Sequence, residues 1–331
     1  MCFGLSISAM NMLNFTPVLQ SPANWIVSYP RSGSAYLRSL IANYVSGLDR
    51  PLTLKELIAS TRGEHDEDLL FQLTGKPPAD RSLAEEWSAR PSYVRRLRMM
   101  TNPVLPIIKS HTVRCEIDGV DGFGFVPGDR ILHIVRHPCD VVISCAHFYG
   151  ITIDAAIERI RADGLYIYGA PDIGYEVIGS WAQHTRSWME NIDVPTLMLR
   201  FFELVEHPRE TLTAIVQFLG LEPDQARLER AVEFSAFNRM RSQESTEGFA
   251  EASSRSKSPY FREGRPGQWL NVLTIDQARK VLDHAGELIE QIGFARLTLV
   301  PGREQAISSA PPASLHTDGP IPPDCVSRPR S

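Results

Sequence analysis

The stretch Asn24 to Tyr44, NWIVSYPRSGSAYLRSLIANY, restricts the possible folds more than any other part of the chain. Trp25 to Tyr29 is an apolar run of strand length, Pro30 ends it, and the turn Arg31-Ser32-Gly33-Ser34 follows. Beyond the turn, Tyr36, Leu37, Leu40, Ile41 and Tyr44 recur at helical spacing. A helix start offers unpaired backbone N–H groups and a positive dipole end, and Gly33 lets the backbone approach an anion closely. Arg31 and the hydroxyls of Ser32 and Ser34 add further donors. The loop suits a phosphate or sulfate group; taken alone, it is equally an ordinary strand-to-helix turn.

Val104 to Ser110 reads as a second strand that delivers His111 at its end, with Lys109 two positions earlier and so on the same side. Arg130 to Val135 reads as a third, followed by Arg136-His137-Pro138-Cys139-Asp140 and a helix from Val141 to Tyr149. Pro138 suits the first helical turn. Arg136 then precedes a helix N-terminus and Ser144 lies one to two turns inside it, which makes a second anion pocket. The competing reading is an Arg136 that pairs with Asp140 or another carboxylate. Thr196 to Phe202 is a fourth apolar strand. Ile153–Ala162, Tyr175–Glu190, Arg209–Leu219, Asp224–Phe234 and Ile275–Ile292 read as helices, with Ile178, Trp181 and Trp188 a core stripe on the second. The alternation predicts an α/β fold, a single domain with a central parallel sheet flanked by helices and a P-loop-like phosphate loop.

The expected organisation is a lead-in over 1–23, the domain over 24–300 and a disordered tail over 301–331, where seven of 31 residues are proline. Within the domain, 47–106 reads as a polar insertion with helical pieces at Leu54–Ser60 and Leu83–Trp87, and with Arg95, Arg96 and Arg98 facing water. The Gly- and Arg-rich run Tyr260 to Trp269 has the composition of an ordered lid over an anion.

Basic residues number 34 against 39 acidic ones, a formal charge of −5, so no global basic field recruits nucleic acid or an anionic membrane. An anion site must therefore be local. Cys2, Cys115, Cys139, Cys145 and Cys325 are odd in number and lack metal-ligand spacing, which predicts reduced thiols, no disulfide framework and no zinc. Residues 1–20 carry no Lys or Arg, unlike a secretory signal, and no apolar run is long enough to span a bilayer. A cytoplasmic protein is expected.

Together these segments resemble the cytosolic sulfotransferase family, over about Asn24 to Phe294. Ser28-Tyr29-Pro30-Arg31-Ser32-Gly33-Ser34 is similar to that family's 5′-phosphosulfate loop, T-Y-P-K-S-G-T. Ile134-Val135-Arg136-His137-Pro138, with Asp140, Val141 and Ser144, is similar to its 3′-phosphate motif. Ile108-Lys109-Ser110-His111 resembles its strand ending in K-T-H, and Phe261-Arg262-Glu263-Gly264 through Gly267 and Trp269 resembles its R-K-G-x-x-G-D-W segment. Weaker likeness places Trp181 in its S-W helix and Ser235, Phe237 and Met240 in its T-S-F-x-x-M adenine contact. The resemblance implies transfer of a sulfuryl group from 3′-phosphoadenosine 5′-phosphosulfate (PAPS) to a hydroxyl or amine of a small-molecule, glycan or lipid acceptor. It makes His111 the general base, with Arg31 and Lys109 helping the leaving group. Donor contacts fall to Arg31, Ser32, Gly33, Ser34, Ala35 and Tyr36 in the first loop. Those to the 3′-phosphate fall to Arg136, Ser144, Arg262, Glu263 and Gly264.

The chain departs from the pattern in places. Arg31 replaces the usual Lys, as often in the family's bacterial branches; it keeps the charge but cannot act as an acid. Glu263 stands where the family has a second cation, and Phe201 replaces a Tyr near the adenine. The absence of G-x-x-x-x-G-K-[ST] removes the usual Mg²⁺-holding hydroxyl of an ATP-cleaving loop, so no metal is expected. The alternatives are a P-loop-like kinase and a non-catalytic nucleotide-binding protein.

Overall fold

The computed structural model describes residues 21–294 apart from His65, 169–173, 191–192, Ser254 and Lys257. Most of the expected lead-in and the whole expected tail lie outside these residues. Strand β1 (Asn24–Ser28) and helix α1 (Ser34–Ser46) come first, then α2 (Leu54–Ala59), β2 (Arg62–Gly63), α3 (Glu67–Thr74), α4 (Leu83–Met99) and β3 (Ile107–Ser110). An antiparallel pair, β4 (Glu116–Ile117) and β5 (Val120–Asp121), leads to β6 (Arg130–Val135), α5 (Pro138–Tyr149) and α6 (Ile153–Arg161). A second antiparallel pair, β7 (Tyr166–Tyr168) and β8 (Tyr175–Val177), precedes α7 (Trp181–Ser187), β9 (Thr196–Arg200), α8 (Phe201–Glu206) and α9 (Pro208–Phe218). The chain continues through α10 (Gln225–Phe234), α11 (Phe237–Glu247), α12 (Trp269–Val272), α13 (Ile275–Ala285) and α14 (Leu288–Ile292).

The main sheet has the order β2-β3-β1-β6-β9 with every pair parallel, as the alternation predicts. A parallel sheet buries both faces, which is why every residue of β1 is buried rather than every second one. Side chains still alternate: Ile26 packs with Leu37, Leu40 and Leu212 on one face, whereas Trp25 and Val27 pack with Tyr93, Val94 and Leu97 on the other. Register pairs Val27 with Ser110 and Ser28 with Ile134, so β1, β3 and β6 end nearly level. Ligands of such sheets gather outside these carboxyl ends.

Several expectations are corrected. Tyr175–Glu190 is not one helix: Tyr175–Val177 is a strand, and Ser180 caps the shorter α7 through its hydroxyl and Gln183. Ile178, Trp181 and Trp188 are buried nonetheless. The strand expected from Val104 begins only at Ile107, and Ile275–Ile292 is divided at Gly286 into α13 and α14. The helical piece at Leu83 runs on through Pro91 to Met99, because Trp87, Tyr93, Val94 and Leu97 form a buried face that outweighs the proline. Segment 47–106 also supplies the edge strand β2. Arg98 does not face water: it is 4% exposed and donates to both carboxylate oxygens of Asp129, at 2.7 and 2.6 Å. Asp129 also accepts from the N–H groups of Ala23 and Val126, so this buried pair is well satisfied. Among the described residues, no single helix is long and apolar enough to cross a membrane. Cys115, Cys139 and Cys145 are free thiols.

Candidate active site

The first loop turns on an unusual backbone. Arg31 adopts φ 69°, a left-handed conformation that costs a side-chain-bearing residue energy, and Gly33 follows at φ 108°. At Gly33 a Cβ would lie 2.5 Å from the Phe201 ring, so only glycine admits this turn. Arg136 holds the strained residue by donating from Nη1 to the Arg31 carbonyl at 3.1 Å. Helix α1 begins with no acidic residue in its first turn and no side-chain cap, which leaves its positive end facing the loop.

Arg31 from the first predicted pocket and Arg136 and Ser144 from the second come together. Arg31 lies between the rings of Phe148 and Tyr260, at 4.4 and 4.0 Å, and donates from Nε to Ser144 Oγ at 3.2 Å and from Nη2 to the Tyr260 carbonyl at 3.3 Å. Arg136 is 8% exposed and lies 4.6 Å over the Phe201 ring, and its Nε has no hydrogen-bond partner. Burial lowers its pKa to about 10, and the nearby positive charges of Arg31 and Arg262 act in the same direction. Asp140 does not form the ion pair with Arg136 that the competing reading would require. Its carboxylate instead accepts from the N–H groups of Gly267 at 2.7 Å and Trp269 at 3.1 Å. That pins the late Gly-rich segment to the start of α5, and His137 stacks on Trp269 beside it.

A cavity of about 260 Å³ opens between these parts. Its lining includes Arg31, Gly33, Ala35 and Tyr36 from the first unit, Arg136 and Ser144 from the second, and Phe237, Arg262, Glu263 and Gly264 from the chain beyond α10. Arg262 is ion-paired with Glu263, which also meets Arg265 at 3.0 Å, and it donates to Gln268 Oε1. Ser32 and Ser34 are buried in the loop outside this lining, with Ser32 Oγ unpartnered. Two predicted adenine contacts also fall outside it. Ser235 is fully buried and bonds Ser39 and Asn43 under α1, and Met240 packs in the cluster with Ala35.

His111 stands at the end of β3, next to the strand that opens the loop. Its Nδ1 lies 2.7 Å from the Ser28 carbonyl oxygen and 3.1 Å from Ser28 Oγ. A carbonyl only accepts, so the ring proton belongs on Nδ1 and Nε2 keeps its lone pair. Burial, with help from the charge of Lys109, lowers the pKa of His111 to about 4. The His111 and Thr112 N–H groups donate to Glu64, each at 3.1 Å, and Glu64 pairs with Arg90 at 2.5 Å. Lys109 is half-buried, 3.8 Å from Glu251, and burial lowers its pKa.

Several contributors escaped the sequence reading. Phe148 and Tyr260 enclose Arg31, and Glu64 fixes the His111 backbone. From α7, Trp181 Nε1 donates to the Arg136 carbonyl at 3.1 Å, and Trp188 Nε1, just beyond that helix, donates to the Thr112 carbonyl at 3.2 Å. The two tryptophans thus pin the backbone at both functional strand ends. In the sequence both show as an apolar stripe, and Trp181 also by its likeness to the S-W helix, but neither bond is legible there.

Sulfotransferase 1E1 of Bos taurus is 24% identical over 254 residues, covering 76% of this chain and 77% of that protein. Sulfotransferase 1B1 of Mus musculus is 25% identical over 259 residues, covering 77% and 78%. Among solved structures, mouse sulfotransferase SULT7A1 complexed with PAP matches with a TM-score of 0.53 at 19% identity, over 82% of this chain and 84% of that one. Retinol dehydratase in a complex with retinol and PAP matches with a TM-score of 0.55 at 13% identity, over 82% and 83%. These structural likenesses establish the shared α/β architecture. The Sulfotransferase domain family matches residues 21–293, from just before β1 to just beyond α14, and the chain belongs to that family.

Proposed function

We propose that this enzyme moves the sulfuryl group of PAPS to a hydroxyl or amine of a small-molecule acceptor, with His111 as general base. The observation that carries this reading is the convergence of Arg31, Arg136, Arg262 and the α1 N-terminus on one cavity, with His111 at the adjoining strand end. In the reaction the acceptor oxygen or nitrogen forms a bond to sulfur while the bond from sulfur to the bridging phosphate oxygen breaks. The acceptor proton passes to His111 Nε2, and adenosine 3′,5′-bisphosphate (PAP) departs. Charge grows on the departing 5′-phosphate, where Arg31 and the loop N–H groups stabilise it and Lys109 assists. Arg136, Ser144 and Arg262 hold the 3′-phosphate, and Tyr36 and Phe237 flank the base.

Two structural relatives hold PAP, in agreement with this donor. The bond from His111 to Ser28, three residues before Arg31, favours catalysis over simple nucleotide binding. The reading expects no metal, because the sequence lacks the usual Mg²⁺-holding hydroxyl of an ATP-cleaving loop. Free thiols among the described residues agree with a cytoplasmic enzyme, and the polypeptide is read as the 24–300 domain between its lead-in and tail.

The test pairs binding with turnover. Calorimetric titration should show PAP binding about ten- to a hundredfold more tightly than AMP, since one charge-assisted contact contributes about 1.5–3 kcal/mol. Transfer of labelled sulfate from PAPS to a panel of phenols, alcohols, amines, sugars and lipids then identifies the acceptor. Equal affinities for the two nucleotides, with no transfer to any acceptor, reject the reading.

A further inference from the structure

The segment between α11 and α12 brings Tyr260, Phe261, Arg262 and Gly264 to the cavity, and it carries one carboxylate inward near its start. Glu251 accepts from Arg38 Nη2 at both oxygens, at 2.8 and 2.7 Å. Arg38 lies on α1 one turn beyond Ser34 and is 2% exposed, and its Nη1 donates to Thr61 Oγ1 at 3.1 Å. The carboxylate is therefore fixed, and its Oε1 stands 3.8 Å from Lys109 Nζ. One side chain thus joins the segment over the cavity, the helix that follows the first loop, and the strand that ends in His111.

Lys109 on its own would be poorly placed to carry charge. It is 18% exposed, and both burial and the neighbouring Arg38 disfavour its ammonium. Glu251 provides the largest opposing effect, followed by Glu176 on β8 and Glu64 just after β2. His111, the group that must accept a proton, lies on the same side of β3 and is itself discouraged from charging by Lys109. A cation that helps the leaving phosphate must keep both its position and its proton while the donor is bound.

We propose that Glu251 is a positioning residue for sulfuryl transfer: its carboxylate, held by Arg38, fixes the Lys109 ammonium beside His111 and ties it to the segment that covers the nucleotide. The inference rests on the sulfotransferase reading and extends it to a residue in none of the motifs that carry the family resemblance. The placement of the covering segment and that of Lys109 are thus tied together, because Glu251 belongs to the first and holds the second.

The test uses Glu251→Gln, which keeps the shape and one acceptor but removes the charge. The chain has five lysines, Lys55, Lys76, Lys109, Lys257 and Lys280, so ¹³C-labelled lysine side chains give a spectrum simple enough to follow, with Lys109 assigned through Lys109→Arg. In E251Q the Lys109 titration is expected to move down by at least about one pH unit, a tenfold loss of proton affinity. The alkaline limb of kcat should move with it, and turnover at pH 8 should fall about tenfold, with PAP affinity falling less than turnover. Glu251→Asp, which restores the charge, should return the titration and most of the turnover. In a Lys109→Met background, E251Q should have no further effect on rate. A Lys109 titration or an alkaline limb unmoved by E251Q overturns the inference, as does an E251D enzyme no better than E251Q. Failure of the underlying reading looks different: the wild-type protein would then discriminate no PAP from AMP and transfer no sulfate.

Discussion

Replacing Arg136 by methionine separates ligand reading from fold stability, because the guanidinium stands where a buried charge awaits a partner. Its Nε has no acceptor, its Nη1 binds a main-chain carbonyl, and the Asp140 carboxylate is engaged by Gly267 and Trp269. In the free protein the substitution removes one hydrogen bond of about 1 kcal/mol and also relieves the cost of burying the charge, so the two largely cancel. Methionine fills much of the volume over Phe201. The melting temperature without ligand should change by no more than about 4 °C, the shift expected for roughly 1 kcal/mol in a domain of this size. With PAP bound, the lost charge-assisted contact amounts to about 1.5–3 kcal/mol, or about ten- to a hundredfold in affinity. Calorimetric titrations of PAP and AMP into wild type and R136M, at one fixed ionic strength, measure the difference directly. PAP should weaken by that factor and AMP by less than about threefold. Equal weakening of both nucleotides would show that Arg136 does not read the 3′-phosphate, and the sulfotransferase geometry would lose its most specific element.

His111→Ala should bind PAP as wild type does while kcat falls by about 10²–10⁴, the usual contribution of general-base assistance; wild-type turnover in the variant would remove the base from His111. Glu263→Gln should tighten PAP by up to about fivefold, since it frees Arg262 from a half-exposed ion pair whose strength is typically 0.2–1 kcal/mol; weaker binding in calorimetry would show that Glu263 supports the phosphate site instead. Acid should unfold the protein through its neutral histidines. Burial lowers the pKa of His111 to about 4, that of His133 to about 3, and that of His184 well below the usual value. Folded pKa values below the unfolded one mean that the unfolded chain binds more protons, so this stability is complete above pH 6.5 and is lost as pH falls toward 4. Near pH 5 the slope should approach about 4 kcal/mol per pH unit for three protons, and His133→Gln should lower it by roughly a third; urea midpoints that do not change between pH 7 and 5 would refute the argument.

Local chemistry was legible wherever the deciding residues are contiguous. The first loop could be read because an apolar strand, a proline, a glycine that must turn left and a helical stripe follow one another from Trp25 to Tyr44. The second unit from Arg130 to Ser144 was legible for the same reason, and so was the end of β3 at His111. The alternation of strands with helices announced a parallel sheet flanked by helices. The stretch from Tyr175 to Trp188 was not legible, because Ile178, Trp181 and Trp188 fit a helical stripe equally well when a strand supplies the first part. Its geometry was decided by bonds to distant main chain, from Trp181 to Arg136 and from Trp188 to Thr112. Segment 47–106 read as solvated because its charged residues are numerous.

The sequence by itself determined four of the five strands of the main sheet, the helices that follow the first and third of these, and the family to which the chain belongs. The tertiary structure alone decided which charges meet. Arg98 lies buried because Asp129, 31 positions later, neutralises it. Glu64 fixes His111 from 47 positions away, and Glu251 reaches Arg38 across 213. Arg136 and Glu263 took roles that spacing could not assign, one unpaired at Nε and the other folded back on Arg262. A hydrophobic pattern is written at periods of two or 3.6 residues and can be read along the chain. The fate of a charge depends on whether the fold brings a partner to it as it leaves water, and chain order carries no record of that distance.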